Sequence, residues 1–520
     1  MNTAPHRDPA GEPQWLSGRE MRRLTRAATE AHGGGRLGEL IGEVYSILFS
    51  GAIAWLVVIG AVQTLSTQFS PETAEFTLDS SWLALAWTLI GMGLLLSLFA
   101  RLGPVAASAG QGAWWLPMPA DRAGLLRPKV LVMSAVGALA GVAIGAVTGT
   151  LLDGSDTTAI VAGVLGLGAA GMMLPALCTI GQITMASAGA GRFQLLVRAG
   201  DALVVLGPIL SLVAVLLRPP ALPLTTALFA AAAVFAVAGA AALTWVWRRL
   251  DGIGGQELRS RGAISGHAAG SVLSLDTREL GRALTVSTLP RDRRRSASWS
   301  WVRGPVGALV TGDAVLLGRS PRHVLQIVVG LSVALLPLLA GWHPGLAVAG
   351  LLVGGYLASL ATGEGARRAE MAPVLDRQFP LSAPVVRRVR LLWPLMVMTA
   401  WTLVVMAGWG WVFGGSFGWL ILGLVAAPTF AAGVLRAAYR PPPDWTRPLM
   451  PGPFGPVAPG VLSAFSRGPD IVVLCLVPLI VATLATGPTE VVVFIQLATT
   501  ALALSIACHL PAKRNTRSAT

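Results

Sequence analysis

Long apolar stretches alternate with shorter polar ones along the whole chain. Twelve stretches are long enough to cross a bilayer, because a helix needs about 20 apolar residues to span roughly 30 Å of hydrocarbon. The predicted spans are residues 45–65, 82–100, 130–151, 159–186, 200–217, 224–247, 323–341, 345–362, 391–413, 416–434, 471–487 and 491–510. The pattern therefore predicts an all-α integral membrane protein with about twelve transmembrane helices.

Positive charges fall in every second connection between these spans. Of the 39 Lys and Arg residues, all but Arg218 lie in connections that the predicted topology puts on one side. Cytoplasmic loops carry an excess of Lys and Arg, so this bias places the N and C termini in the cytoplasm. It predicts a multi-pass protein of the cell (plasma) membrane.

The composition supports this class and narrows the partners. Only 12% of the residues are charged, about half the share of a soluble domain. The net charge of +14 lies in short loops beside the spans, where anionic lipid headgroups attract it. We therefore expect membrane lipid, and no nucleic acid, as the partner of these basic residues.

The longest inner connection divides the chain into two halves. The predicted domains are a cytoplasmic N-terminal segment with an amphipathic connecting helix (1–44), a first six-span half (45–247), a basic cytoplasmic linker with a second connecting helix (248–322), a second six-span half (323–510) and a cytoplasmic tail (511–520). In each half a long inner loop joins the second and third spans.

These two inner loops match each other without gaps. The matched residues are Pro119 with Pro380, Arg127 with Arg388, and Lys129 with Arg390. Matching loops at the same place in both halves indicate a duplication, which is common in transporter folds. The sequence thus predicts two repeated six-helix halves.

Residues for catalysis or cofactor binding are missing from the sequence. Lys129 and Lys513 are not preceded by a Gly-rich phosphate-binding loop, so the chain carries no P-loop of its own. The six His and three Cys residues lack the spacing of a haem or zinc site. The centres of the predicted spans contain no Asp, Glu, Lys or Arg, which argues against a proton-coupled pump or a membrane hydrolase. We expect no catalytic residue, no metal and no cofactor in this chain.

The third predicted span carries a stripe of glycines. Gly137, Gly141, Gly145 and Gly149 recur every four residues, which puts them on one helical face and lets a neighbouring helix approach closely. Two interpretations remain open: static packing, and a helix that slides during transport.

The first inner loop, residues 113–129, combines an aromatic residue, Leu-Pro, a short polar turn and a basic helix. In this it resembles ABC-2 type permeases of the type V exporter class. The overall layout is also similar to multi-pass membrane proteins of actinobacteria, which supports the fold only. The resemblance implies connecting helices at 36–44 and 304–318, and coupling helices at 113–129 and 364–390 that dock on a separate ATPase.

The resemblance also implies a function. The chain would be the membrane-spanning permease subunit of an ABC-type exporter of a small apolar or amphiphilic compound, and ATP would bind to a separate, homodimeric ABC ATPase. The implied ATPase-coupling residues are Pro119, Asp121, Arg122, Arg127, Lys129, Glu364, Arg367, Arg368, Pro380, Arg387, Arg388 and Arg390.

Other functions stay open at this point. The stretch 121–127 resembles the Asp-Arg-x-Gly-Arg loop of major-facilitator secondary transporters, although the inner loop 101–129 is far longer than in that family. A non-transport scaffold could bind partners through 248–303 or the Pro-rich loop 440–459. The two inner loops could also serve only as basic membrane anchors.

Overall fold

A computed structural model describes residues 17–31, 78–118, 121–153, 156–188, 191–273, 302–371, 379–439, 450–452, 455–457 and 467–508. The first part of the chain forms α1 (Gly18–Ala31), α2 (Ser80–Leu102), α3 (Ala109–Trp114), α4 (Arg122–Leu152), α5 (Thr157–Ala188), α6 (Gly191–Leu217), α7 (Leu224–Arg249), a 3₁₀ turn (Leu250–Gly252) and α8 (Gly255–Leu273).

The later part is helical as well. It forms α9 (Gly304–Gly318), α10 (Pro321–Leu339), α11 (Pro344–Thr362), α12 (Glu364–Met371), α13 (Ala383–Arg390), α14 (Leu392–Phe413), α15 (Ser416–Ala438), α16 (Pro469–Cys475), α17 (Val477–Val481), a π turn (Ala482–Thr486) and α18 (Glu490–Cys508). Two short antiparallel strands, β1 (Met450–Gly452) and β2 (Gly455–Val457), pair with each other.

The described residues contain ten helices that are long and apolar enough to cross a membrane. They coincide with ten of the twelve predicted spans, so the protein is an all-α, multi-pass membrane protein. The predicted span 45–65 and both termini lie outside the described residues. The predicted span 471–487 is not one continuous helix but is divided among α16, α17 and the π turn.

Several helices run beyond the predicted limits of their spans. Helix α4 begins at Arg122, although the apolar run begins only at Val130. Its N-terminus is stabilised outside the apolar run, because Asp121 Oδ2 accepts a hydrogen bond from Gly124 N at 3.1 Å and such a cap favours helix initiation. The start of α4 therefore belongs to the inner loop and the rest to the membrane.

The predicted glycine stripe forms the contact between α4 and α5. A Cβ atom on Gly141 would lie well inside 3.0 Å of the Leu167 carbonyl oxygen, and one on Gly145 equally close to the Gly163 carbonyl oxygen. The two backbones touch, so this face of α4 has no room for any side chain. Close backbone approach of this kind stabilises helix pairs in lipid, where the hydrophobic effect between helices is absent.

Two other helix pairs use the same kind of contact. Gly93 on α2 lies against the Gly200 carbonyl oxygen on α6, at 2.8 Å from an added Cβ. In the second half, Gly330 on α10 and Gly354 on α11 each face the other's carbonyl oxygen. Glycine at these positions determines which helices become neighbours.

The two halves show a similar order of packing. In the first, α4 packs on α5 and α5 on α7; in the second, α14 packs on α15 and α15 on α18. The halves meet where α6 contacts α10, and Leu212 of α6 packs against the apolar core of the second half.

Introducing a side chain into the glycine contact should destabilise the fold. We expect Gly145→Leu to cost about 1–3 kcal/mol, the usual penalty of overpacking, because the backbones of α4 and α5 must separate. The measurement is thermal unfolding of the purified protein in detergent. Gly266→Leu on α8 is the control, since an added Cβ meets nothing within 4 Å there. Equal melting temperatures for the two variants would contradict the tight contact.

Candidate functional site

The first inner loop is a folded element held by Lys129. Ser108 and Gln111 form a capping box at the start of α3, with backbone-to-side-chain hydrogen bonds of 3.3 Å in both directions. The Lys129 Nζ atom donates to Gln111 Oε1 at 2.6 Å and to the Ala106 carbonyl oxygen. It also lies 5.5 Å from the centre of the Trp115 ring, so Lys129 connects the start of α4 to the whole loop.

The N-terminal helix α1 covers part of this loop. Met21 is 3% exposed and packs with Trp115 and Leu125. The Trp115 indole N–H donates to Thr25 Oγ1 at 3.0 Å, and Arg22 donates to the Gly124 carbonyl oxygen. Helix α1 therefore docks on protein through its apolar side, and the predicted connecting helix at 36–44 lies outside the described residues.

Helix α8, within the predicted linker, covers the other side of the loop. Leu258 is 1% exposed and its carbonyl oxygen accepts from Ala107 N at 3.0 Å. Arg261 pairs with Glu257 at 2.6 Å and donates to the Arg101 carbonyl oxygen at 2.9 Å. The sequence does not indicate this helix clearly, because its Gly, Ser and Arg content resembles a linker. The Glu257–Arg261 pair, four residues apart, was the available signal.

The second inner loop is held by a nearly buried ion pair. The Arg390 Nη1 atom lies 2.9 Å from Asp313 Oδ1, and the two side chains are only 8% and 13% exposed. Asp313 lies on α9, which covers the same residues as the predicted second connecting helix. The Trp393 indole N–H donates to the Val310 carbonyl oxygen at 2.8 Å, a second connection between α9 and the start of the third span.

Helix α12 adds a small charged cluster to this loop. Glu364 pairs with Arg368 at 2.9 Å and with Arg367 at 3.7 Å. Arg367 also donates to the Leu360 carbonyl oxygen at the end of α11. Desolvation lowers the pKa of the Arg367 guanidinium, and the Glu364 carboxylate opposes that shift. Arginine stays protonated in proteins, so the cluster remains positive.

Two further predicted residues stack on aromatic rings. The Arg127 guanidinium lies 5.1 Å from the Trp247 ring centre, and that of Arg387 lies 5.0 Å from the Tyr439 ring centre. Each basic side chain holds the start of a third span against another helix by a cation–π contact.

The remaining predicted coupling residues are mostly exposed. Asp121 and Arg122 in the first loop are exposed to solvent, as are Arg368, Pro380 and Arg388 in the second. Pro119 lies outside the described residues. The structure thus divides the predicted set by exposure. The buried and half-buried members make contacts within the chain: Arg127, Lys129, Glu364, Arg367, Arg387 and Arg390. The exposed members lie at the surface, although Asp121, Arg122 and Arg368 also have partners within the chain.

The described residues offer little for a small ligand in this region. A cleft between α3, α4 and α8 is lined by Gln111, Trp115, Arg122 and Leu258 among others, and its enclosed volume is about 10 Å³, room for one water molecule. Within the described ranges, the His, Cys, Asp and Glu residues form no group that could hold a metal ion.

Ten apolar helices and folded, basic inner loops define a multi-pass α-helical membrane protein. The chain belongs to DUF6297, a family of unknown function, whose model matches residues 74–448. That range runs from just before α2 to just after α15 and includes both inner loops. Neither a curated protein nor a solved structure matches the chain.

Removing one partner of the buried ion pair should weaken the second half. We expect Arg390→Met to cost about 3–5 kcal/mol, because the nearly buried Asp313 carboxylate then loses its ion pair with Arg390. Arg388→Met is the matched control: Arg388 is exposed two residues away, and we expect a change within about 0.5 kcal/mol. Thermal unfolding in detergent measures both.

A double variant tests the cause of this loss. Adding Asp313→Leu to Arg390→Met removes the nearly buried carboxylate, and stability should recover in part. A loss in Arg390→Met no larger than in Arg388→Met would show that the ion pair contributes little.

Proposed function

We propose that this protein is the membrane-spanning permease subunit of an ABC-type exporter, driven by a separate ATPase that binds the ATP. In this proposal it lies in the plasma membrane with both termini in the cytoplasm. It consists of two repeated six-span halves, each with one inner loop that contacts the ATPase.

The form of the two third spans carries the proposal. Residues Arg122–Leu152 and Ala383–Phe413 each form a candidate span of 31 residues. The first is the single helix α4, and the second consists of α13 and α14, joined by Leu391 at helical angles (φ −76°, ψ −22°). At 1.5 Å per residue each is about 46 Å long, whereas the hydrocarbon core is about 30 Å thick. About ten residues of each span therefore extend into the inner loop. A partner that moves the loop would move the span with it, as a rigid body.

The repeat is supported by the register of these spans. They begin 261 residues apart, at 122 and 383, and end 261 residues apart, at 152 and 413. The ungapped loop match has the same spacing, since it pairs Arg127 with Arg388 and Lys129 with Arg390. The similar order of helix packing in the two halves is a further argument for duplication.

The substrate of the proposal is a small apolar or amphiphilic compound. The spans are lined mainly by Leu, Val, Ala and Gly, which suits such a molecule better than an ion. The path would lie between the halves, near the contact of α6 with α10, where repeats of transporters usually enclose the substrate.

The exposed charges of the two loops should determine ATPase binding. We expect the tagged native protein, extracted in mild detergent, to recover a near-stoichiometric ABC ATPase, detected by mass spectrometry and by ATP hydrolysis. The double variant Arg122→Glu/Arg388→Glu should lose most of that ATPase, because it reverses one exposed charge in each loop.

Arg198→Glu serves as the matched control. Arg198 is an exposed basic residue on α6, outside both loops, so its reversal should leave recovery unchanged. Absence of any ATPase with the native protein would contradict the exporter proposal and favour a secondary transporter or a scaffold. Full recovery with the double variant would remove the loops from the interface.

A further inference from the structure

The eleventh predicted span is interrupted in its apolar interior. Helix α16 ends at Cys475 and α17 begins at Val477, with Leu476 between them at φ −97° and ψ 6°. Pro478 has no backbone N–H, so it cannot donate to the residue four positions earlier. The next donor, Leu479 N, does not return to the Cys475 carbonyl oxygen but donates to a side chain of another helix.

That side chain is Gln496 of α18, and it bonds to both sides of the break. Its Oε1 accepts from Leu479 N at 3.2 Å, and its Nε2 donates to the Cys475 carbonyl oxygen at 3.0 Å. One amide thus replaces the missing helical bond between Cys475 and Leu479. Gln496 is 0% exposed, so bulk solvent does not reach this amide.

Neighbouring threonines hold the glutamine in place. Gln496 Nε2 lies 3.1 Å from Thr500 Oγ1, and the Thr500 hydroxyl donates to the Val425 carbonyl oxygen at 2.9 Å. Thr499 Oγ1 gives the Cys475 carbonyl oxygen a second donor at 2.9 Å. The bonds of Thr500 orient the Gln496 amide toward the break, and the bond of Thr499 adds a donor to the carbonyl oxygen of Cys475.

The two pieces of the span share α18 and α11 as neighbours, and the inner piece is anchored to α15 as well. The inner piece, α16, is fixed to α15 by the Arg436–Asp470 ion pair at 2.8 Å and by close packing of Val472 on Gly433. The outer piece, α17 with the π turn, packs on α18 and α11. Irregular backbone at membrane depth persists only where its polar groups are satisfied, and here Gln496 satisfies groups on both pieces.

We infer that the eleventh span is hinged at residues 475–478, and that Gln496 is the latch holding the hinge closed. The inference is independent of the exporter proposal, because it needs no partner and no substrate. In the closed state Cys475 is 6% exposed. Opening separates the pieces at that residue and exposes its thiol.

Alkylation of the native cysteines tests the latch. The full-length protein in detergent is treated with N-ethylmaleimide, and labelling of each cysteine is followed by peptide mass spectrometry. In Gln496→Leu we expect Cys475 to react about tenfold faster, the factor that corresponds to the loss of one or two hydrogen bonds. Cys178 in α5 is 0% exposed, and its rate should not change.

Two further variants separate the hinge from a general loosening. Gln326→Leu removes a hydrogen bond of 2.8 Å that the side-chain amide of Gln326 on α10 donates to α11. This variant should leave the Cys475 labelling rate unchanged. Pro478→Ala supplies the missing N–H and should slow Cys475 labelling, both alone and in the Gln496→Leu protein.

The inference is overturned by any of three results. The first is an equal Cys475 rate in the native and Gln496→Leu proteins, which means a static break. The second is a parallel rise at Cys178, which means that the whole bundle has loosened. The third is an unchanged Cys475 rate in Pro478→Ala, and this result decides alone if Gln496→Leu cannot be purified.

Discussion

Direct contact between helix backbones is the constraint on which the rest of this membrane domain depends. Lipid tails are as apolar as leucine, so burying apolar side chains between helices brings little gain in a bilayer. Helices must instead approach until their backbones touch. Glycines on α4, α2, α10 and α11 provide these contacts, and each contact selects one partner helix and one register. The stripe on α4 is fully occupied by α5, which favours static packing over sliding.

Once the spans are placed, their inner ends determine the loops. Lys129 and Arg390 occupy matching positions at the starts of the third spans, and both tie the span to the segment before it. A duplicated ancestor would explain why each half has a basic residue at this position. The partners differ: Lys129 bonds to a side-chain amide and a carbonyl oxygen, and Arg390 bonds to a carboxylate.

Much of this architecture could be predicted because it depends on local sequence. Apolar runs predicted ten described spans, and a connecting helix was predicted at the residues of α9. Contacts between distant residues could not be predicted. Nothing near Asp313 indicates that it pairs with Arg390, 77 residues later, and Pro478 alone does not reveal that Gln496 completes its helix. The coupling residues were predicted from residue type and position alone. Neither property shows whether a side chain is buried in the loop or exposed to solvent.

The docking of α1 has a consequence for biosynthesis. Arg22 and Thr25 bond to Gly124 and Trp115, about 100 residues later in the chain. At 5–20 residues per second, the ribosome needs roughly 5–20 s to make that interval. During this time α1 cannot form these two contacts. The packing of the first loop is completed later still, since α8, which covers it, follows α7 and ends only at Leu273. Helix α1 is thus synthesised early but can dock fully only when its half of the protein is nearly complete.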